Sequence, residues 1–271
     1  MSSDNNEVFT KANLDRYLNE LSKEYKKLGG RRTPVDIVLI GGAAVIESYG
    51  FRDMTTDVDA IVPAASIMKE AIGRVASRFG LLEDWLNADF KMTDSFSPRL
   101  YEHSVFYRTF SQVLKVRMVT GEYLVAMKLR AGRQYKNDLS DIVGILAEHE
   151  RKGAPMTYDM INRAVNELYG GWERFPEHSV AFIRNILESG NYADIYEEIR
   201  ESERDAHEVI RPVEEAYHGD IREERIDSIL EADAARGNRK SVLARLAELK
   251  QRQEANAPDS PEKGSSGIED R

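Results

Sequence analysis

The chain has 271 residues, a formal net charge of −9 and no cysteine. That length suits one large domain or two ordinary ones, and the lack of cysteine excludes disulfides, thiolate chemistry and cysteine-ligated zinc. Hydrophobic residues at 41% and charged residues at 31% describe a core-forming protein with a charged surface and no global basic field for nucleic acid.

The opening MSSDNNEVFT carries no basic and apolar leader pattern, and no apolar run reaches the ~18 residues of a membrane span, so a cytoplasmic protein is expected. Leu14, Tyr17, Leu18, Leu21, Tyr25 and Leu28 recur at helical spacing. They predict a helix over 13–28, capped by Asn13 and ended by Gly29–Gly30. VDIVLI (35–40) is a short β-branched run closed by Gly41 and Gly42 and reads as a buried strand. AAVIESYG (43–50) reads as a short helix, FRDMTT as a loop, DVDAIV (57–62) as a second strand stopped by Pro63, and residues 66–80 as an amphipathic helix. WLNADF (85–90) reads as a structured loop. Strands are expected over 104–110 and 113–120, and helices over 122–133 and 138–151, the latter with Asp138 near its N-terminus.

After Lys152 the strand signals stop. Helical periodicity marks 157–171, 178–190 and 192–210, with a break expected at Pro212, and one or two more helices fall within 225–253. The expected fold is α/β (α+β). A small mixed β-sheet flanked by helices spans 1–152, an all-helical region spans 153–253, and a disordered tail spans 254–271. His103, His149, His178, His207 and His218 are scattered without metal-ligand spacing and read as surface or core residues. RGNRKSVLARLAELKQR (236–252) is locally basic and reads first as a solvated helix, second as an RNA contact.

One constellation stands out. Asp57 and Asp59 are alternate residues of a strand, so they project together while Val58 enters the opposite layer. Two such carboxylates repel each other, and a half-buried pair calls for a cation; magnesium, a hard oxygen-seeking ion, is a natural partner and brings a polyphosphate with it. Gly41 and Gly42, between strand and helix, let backbone N–H groups approach a phosphate. Arg52, Thr55 and Thr56 add guanidinium and hydroxyl donors just before the acids. Each motif alone is commonly structural, and Asp57 also reads as a plain loop-end residue. The combination points to a nucleotide-and-metal cradle.

Residues 38–62 resemble the core signature of the nucleotidyltransferase superfamily of the DNA polymerase β type, where a Gly-Gly or Gly-Ser turn precedes an Asp-x-Asp strand. YLVAMKLRAGRQYKNDLSDIVGIL (123–146) resembles a second element of that family, and WLNADFK (85–91) resembles a loop of uncharacterised bacterial members. The resemblance covers roughly residues 35–150 and is nearest a bacterial subgroup that includes AbiEii-type toxins of toxin–antitoxin and abortive-infection systems. It implies magnesium held by Asp57 and Asp59, and a catalytic set of Asp57, Asp59, Lys128 and Asp141. It implies a nucleoside triphosphate contacted by Gly41, Gly42, Arg52, Thr55, Thr56, Lys128 and Arg133. It also implies transfer of a nucleotidyl group to tRNA, a protein side chain or a small molecule, with a cognate antitoxin as a further partner.

Two readings stay open for several of these residues. Lys128 is either the basic group near the triphosphate or a snorkelling helix lysine. Asp138 is either a late acid, with Asp141, or a plain N-cap. The strand 113–120 departs from the fuller family pattern: it offers Lys115 and Arg117 but no carboxylate, and Asp89, Glu102 or Glu122 would have to replace it. That departure keeps a second function in view, a nucleotide- or partner-binding module without turnover. A small-molecule modifier of the aminoglycoside nucleotidyltransferase kind is a third.

Overall fold

The computed structural model describes residues 8–217, 223–237 and 239–256. Strand β1 (Phe9–Thr10) leads into helix α1 (Lys11–Lys27). Thr10, rather than Asn13, is the N-cap. Its hydroxyl accepts from the Asn13 amide while the Asn13 side chain accepts from the Thr10 amide, a reciprocal capping box. The apolar stripe Leu14, Tyr17, Leu18, Leu21 and Tyr25 is buried as its spacing demands.

Strands β2 (Val35–Leu39), β4 (Val58–Ile61), β5 (Leu86–Asn87), β6 (Ser104–Phe110) and β7 (Leu114–Val119) form a mixed sheet in the order β5-β4-β2-β7-β6. β2 runs antiparallel to β4 and parallel to β7; β4 and β5 are parallel, and β6 and β7 form an antiparallel hairpin. Helices α2 (Gly41–Ser48), α3 (Ser66–Phe79), α4 (Gly121–Ala131) and α5 (Asp138–Arg151) belong to this N-terminal part. An all-helical region follows: α6 (Tyr158–Tyr169), α7 (Glu177–Ser189), α8 (Tyr192–Ala216), α9 (Glu223–Ala235) and α10 (Val242–Asn256). One hydrophobic core joins the two parts, running from Leu14 and Ile37 through Leu124 and Ile142 to Phe182, Ile199 and Leu246. Among the described residues no helix is long and apolar enough to cross a membrane.

Several local expectations shift. Gly41 and Gly42 are the first residues of α2 rather than a turn before it, and Asp57 lies one residue ahead of its strand. The segment 51–56 is not wholly loop: β3 (Met54–Thr55) pairs antiparallel with β1, Phe9 opposite Thr55. The 85–90 loop contains β5, which pairs Leu86 with Val58 and Asn87 with Asp59, and then a 3₁₀ turn. Pro212 does not end α8, which continues to Ala216. Pro212 and Glu208 sit on the exposed side of the helix, where the carbonyl freed by the missing N–H faces solvent. The segment 225–253 resolves into two helices. Residues 254–256 complete α10, and the rest of the tail lies outside the described residues.

Candidate active site

Sheet register brings the sequence motif together. Leu39 lies opposite Ala60, and the Ile40 amide donates to the Asp59 carbonyl (3.1 Å), so the chain turns into α2 beside Asp59. Gly41 has φ +54°, a left-handed conformation that favours glycine, and a Cβ there would lie 3.2 Å from Asp59 Oδ2. Gly42 serves packing instead. A Cβ on it would overlap Thr55 Oγ1 and approach Arg52 Nη2 at 3.1 Å. The β1–β3 ribbon holds Thr55 in place above it. No side chain caps the N-terminus of α2, and the positive end of its dipole lies beside Asp59.

Strand alternation does the rest. Val58 and Ala60 are fully buried, Asp59 is half-buried on the other face, and Asp57 is exposed. Asp57 accepts from the Thr55 hydroxyl (3.3 Å). Burial and the adjacent Asp57 push the Asp59 carboxyl up to about 6, against the pull of Arg133, Lys128 and Lys136.

Beneath the acids lies a buried ion network. Lys128 is 4% exposed and bonds Asp141 (2.7 Å) and Asp138 (3.1 Å). Arg52 donates to Asp141 at 2.5 Å, and Arg133 donates to Asp138 at 2.7 and 3.2 Å. Burial opposes charge on Lys128, but Asp141 and Asp138 outweigh it and raise its pKa. Asp138 also resists its burial: Arg133 and Lys128 hold its carboxyl below the usual range. Lys128 is therefore no snorkelling lysine. Asp138 is the first residue of α5, after Asn137 at the cap position, and its side chain serves the network.

A cleft of about 600 Å³ opens over this arrangement. Gly41, Gly42, Thr55, Thr56, Asp57 and Asp59 line it, and the ion network is its floor: Arg52, Lys128, Arg133 and Asp138 line the cleft, and Asp141 is held by Arg52 and Lys128. Asp89, Glu102 and Glu122 do not line the cleft. Among the described residues no three carboxylates or imidazoles are grouped to hold a metal by themselves. The donor set still fits magnesium, which takes one or two carboxylates and completes its shell with phosphate and water oxygens.

Residues 16–147 match the model of a family described as "Nucleotidyltransferase of unknown function (DUF6036)". Over these residues the chain is similar to that family. No curated protein and no solved structure matches the chain.

The matched segment ends inside α5, yet the far wall of the cleft comes from beyond it. Glu197, Arg200, Glu201, Arg204 and His207, all on α8, line the cleft together with the buried Glu203. Sequence reading missed this wall. The charges recur at helical spacing and were indistinguishable from a solvated face, because nothing local says that α8 lies over α5. Tyr135 and Lys136, in the connector between α4 and α5, complete the lining there.

Proposed function

We propose that the cleft binds a nucleoside triphosphate with magnesium and transfers its nucleotidyl group to an acceptor. The observation that carries this reading is the placement of Asp57 and Asp59 beside the α2 N-terminus, above a floor of three cations and two carboxylates. That floor keeps one net positive charge for a polyanion. Asp57 and Asp59 would hold the ion, and Gly41 would let the backbone approach the phosphates. Bound magnesium supplies charge neutralisation and Lewis-acid polarisation of phosphoryl oxygens. Arg52, Lys128 and Arg133 orient the phosphate chain and are themselves fixed by Asp141 and Asp138. In the reaction an acceptor oxygen bonds the α-phosphorus, the bond to pyrophosphate breaks, and the acceptor proton passes to a base.

Calorimetric titration of a nucleoside triphosphate, with and without magnesium, tests the first half. The native chain should bind only with magnesium, and an Asp57→Asn, Asp59→Asn double variant should not bind. Transfer is tested with α-labelled triphosphates and separate tRNA, protein and small-molecule acceptors. A toxin role, with an antitoxin as partner, predicts that induced expression slows growth and that Asp57→Asn relieves it.

A second reading has its own support. β7 carries no acid, and none of Asp89, Glu102 and Glu122 lines the cleft. A nucleotide-binding module would bind the magnesium triphosphate with the same residues and label no acceptor. Any label above the double-variant background removes that reading.

A further inference from the structure

The group that holds the first turn of α5 does not come from α5. Asn137, at its cap position, makes no side-chain capping bond. Glu203 of α8 does this work: its Oε1 accepts from the Leu139 amide (2.8 Å) and the Ser140 amide (3.2 Å). Glu203 is 3% exposed, and its Oε2 is buried without a hydrogen-bond partner. Burying a carboxyl with one oxygen unsatisfied is unfavourable, so packing alone does not account for an acid at this position.

The turn that Glu203 grips carries Asp138 and Asp141. Two helical turns earlier on α8, the Tyr196 hydroxyl donates to the Phe51 carbonyl (3.1 Å), and the two rings meet edge to face at 5.7 Å. Phe51 directly precedes Arg52, whose guanidinium binds Asp141. One face of α8 thus holds the backbone beside both members of the Arg52–Asp141 pair.

We infer that Glu203 and Tyr196 are positioning residues, through which a helix outside the family-matched segment sets the cationic floor of the cleft. The inference rests on the nucleotidyl-transfer reading and deepens it. Neither residue need touch the nucleotide; they act through Arg52, Lys128, Asp138 and Asp141. Burial pushes the Glu203 carboxyl well above the usual range against its bonds to Ser140, and Asp141 and Asp138 add to the rise. Glutamine keeps an acceptor oxygen in the place of the Glu203 Oε1 that receives the two amides. Leucine has similar bulk and no acceptor.

The test compares the full chain with Glu203→Gln, Glu203→Leu and Tyr196→Phe in three measurements: thermal melting, hydrogen exchange at the Leu139 and Ser140 amides, and magnesium-dependent transfer kinetics. Glu203→Gln should behave as the native chain. Glu203→Leu should melt cooperatively, exchange those two amides faster, and lose about 10- to 100-fold in kcat/KM. Native kcat/KM in a folded Glu203→Leu overturns the inference, as does a Glu203→Gln as impaired as the leucine variant. If Glu203→Leu does not fold, Tyr196→Phe decides. Unchanged melting with about tenfold slower transfer supports positioning, and native transfer overturns it. If the native chain transfers nothing, the nucleotidyl reading fails separately. Exchange then decides, with faster exchange in the leucine variant alone supporting the hook and native protection in it overturning the hook.

Discussion

At the scale of single residues the site is a problem of charge. Asp59 gains its proton more readily in the folded chain than in the unfolded one, because burial and Asp57 raise it from the ordinary 3.8 to about 6. The sign follows from linkage. Between those two values the native state binds more protons than the unfolded state, so stability falls as pH rises from 4 to 6 and stays lower above 6. In metal-free protein, Asp59→Asn should therefore raise the melting temperature at pH 7.5, by about 1–2 kcal/mol of stability once solvent screening is allowed for. The gain should fade as pH falls towards 4. Melting curves across that range check it, and a variant less stable than native at pH 7.5 would contradict the charge argument. Lys128 has the opposite role. It is the shared counter-ion of Asp138 and Asp141, and Lys128→Met would leave both with a single arginine each. A cost of about 3–5 kcal/mol is expected from uncompensated buried charge, measured by urea unfolding. A cost under about 1 kcal/mol, the range of exposed pairs, would mean that solvent screens the pair.

At the scale of elements, what was legible depended on whether an element's cause is local. The stripe of α1 and the β-branched run of β2 carry their own periodicity, and both elements form where the sequence places them, as do the helices α3 to α7 within a few residues at their ends. The two-residue strands β1, β3 and β5 were not legible, since each exists only through its partner: Phe9 across from Thr55, Asn87 beside Asp59. The site divides the same way. Gly41, Gly42, Asp57 and Asp59 lie close in sequence and share a motif. Glu203, far along the chain and without one, could be read only as a surface charge. Gly42 shows how strictly the elements pack once assembled. Gly42→Ala would place a methyl against Thr55 on the β1–β3 ribbon. We expect about 1–3 kcal/mol of destabilisation from overpacking and weaker triphosphate binding. Thr55→Ala in the same chain should recover part of the stability loss, because it removes the clashing hydroxyl. Strict additivity of the two substitutions in denaturant titrations would show that the clash is relieved elsewhere.

At the scale of the whole molecule, the change of architecture near residue 152 is not a gap in the core. α4 packs on α6, and α5 packs on α8. Leu139, Ile142, Ile145 and Leu146 on α5 are all buried in the full chain. A fragment of residues 1–152 keeps every element of the sheet and the whole family-matched segment, yet it strips α5 of its covering helix and of Glu203. Exposed apolar surface of that extent drives association, and the amides of Leu139 and Ser140 lose their acceptor. We therefore expect the fragment to aggregate or to melt without cooperativity, and to bind no magnesium triphosphate under conditions where the full chain does. Adding residues 153–256 as a second polypeptide should restore part of both properties, because the interface is a cut core rather than a linker. The opposite result is equally informative. A fragment that melts cooperatively and binds the nucleotide with full-length affinity would confine the helical region to the far wall of the cleft.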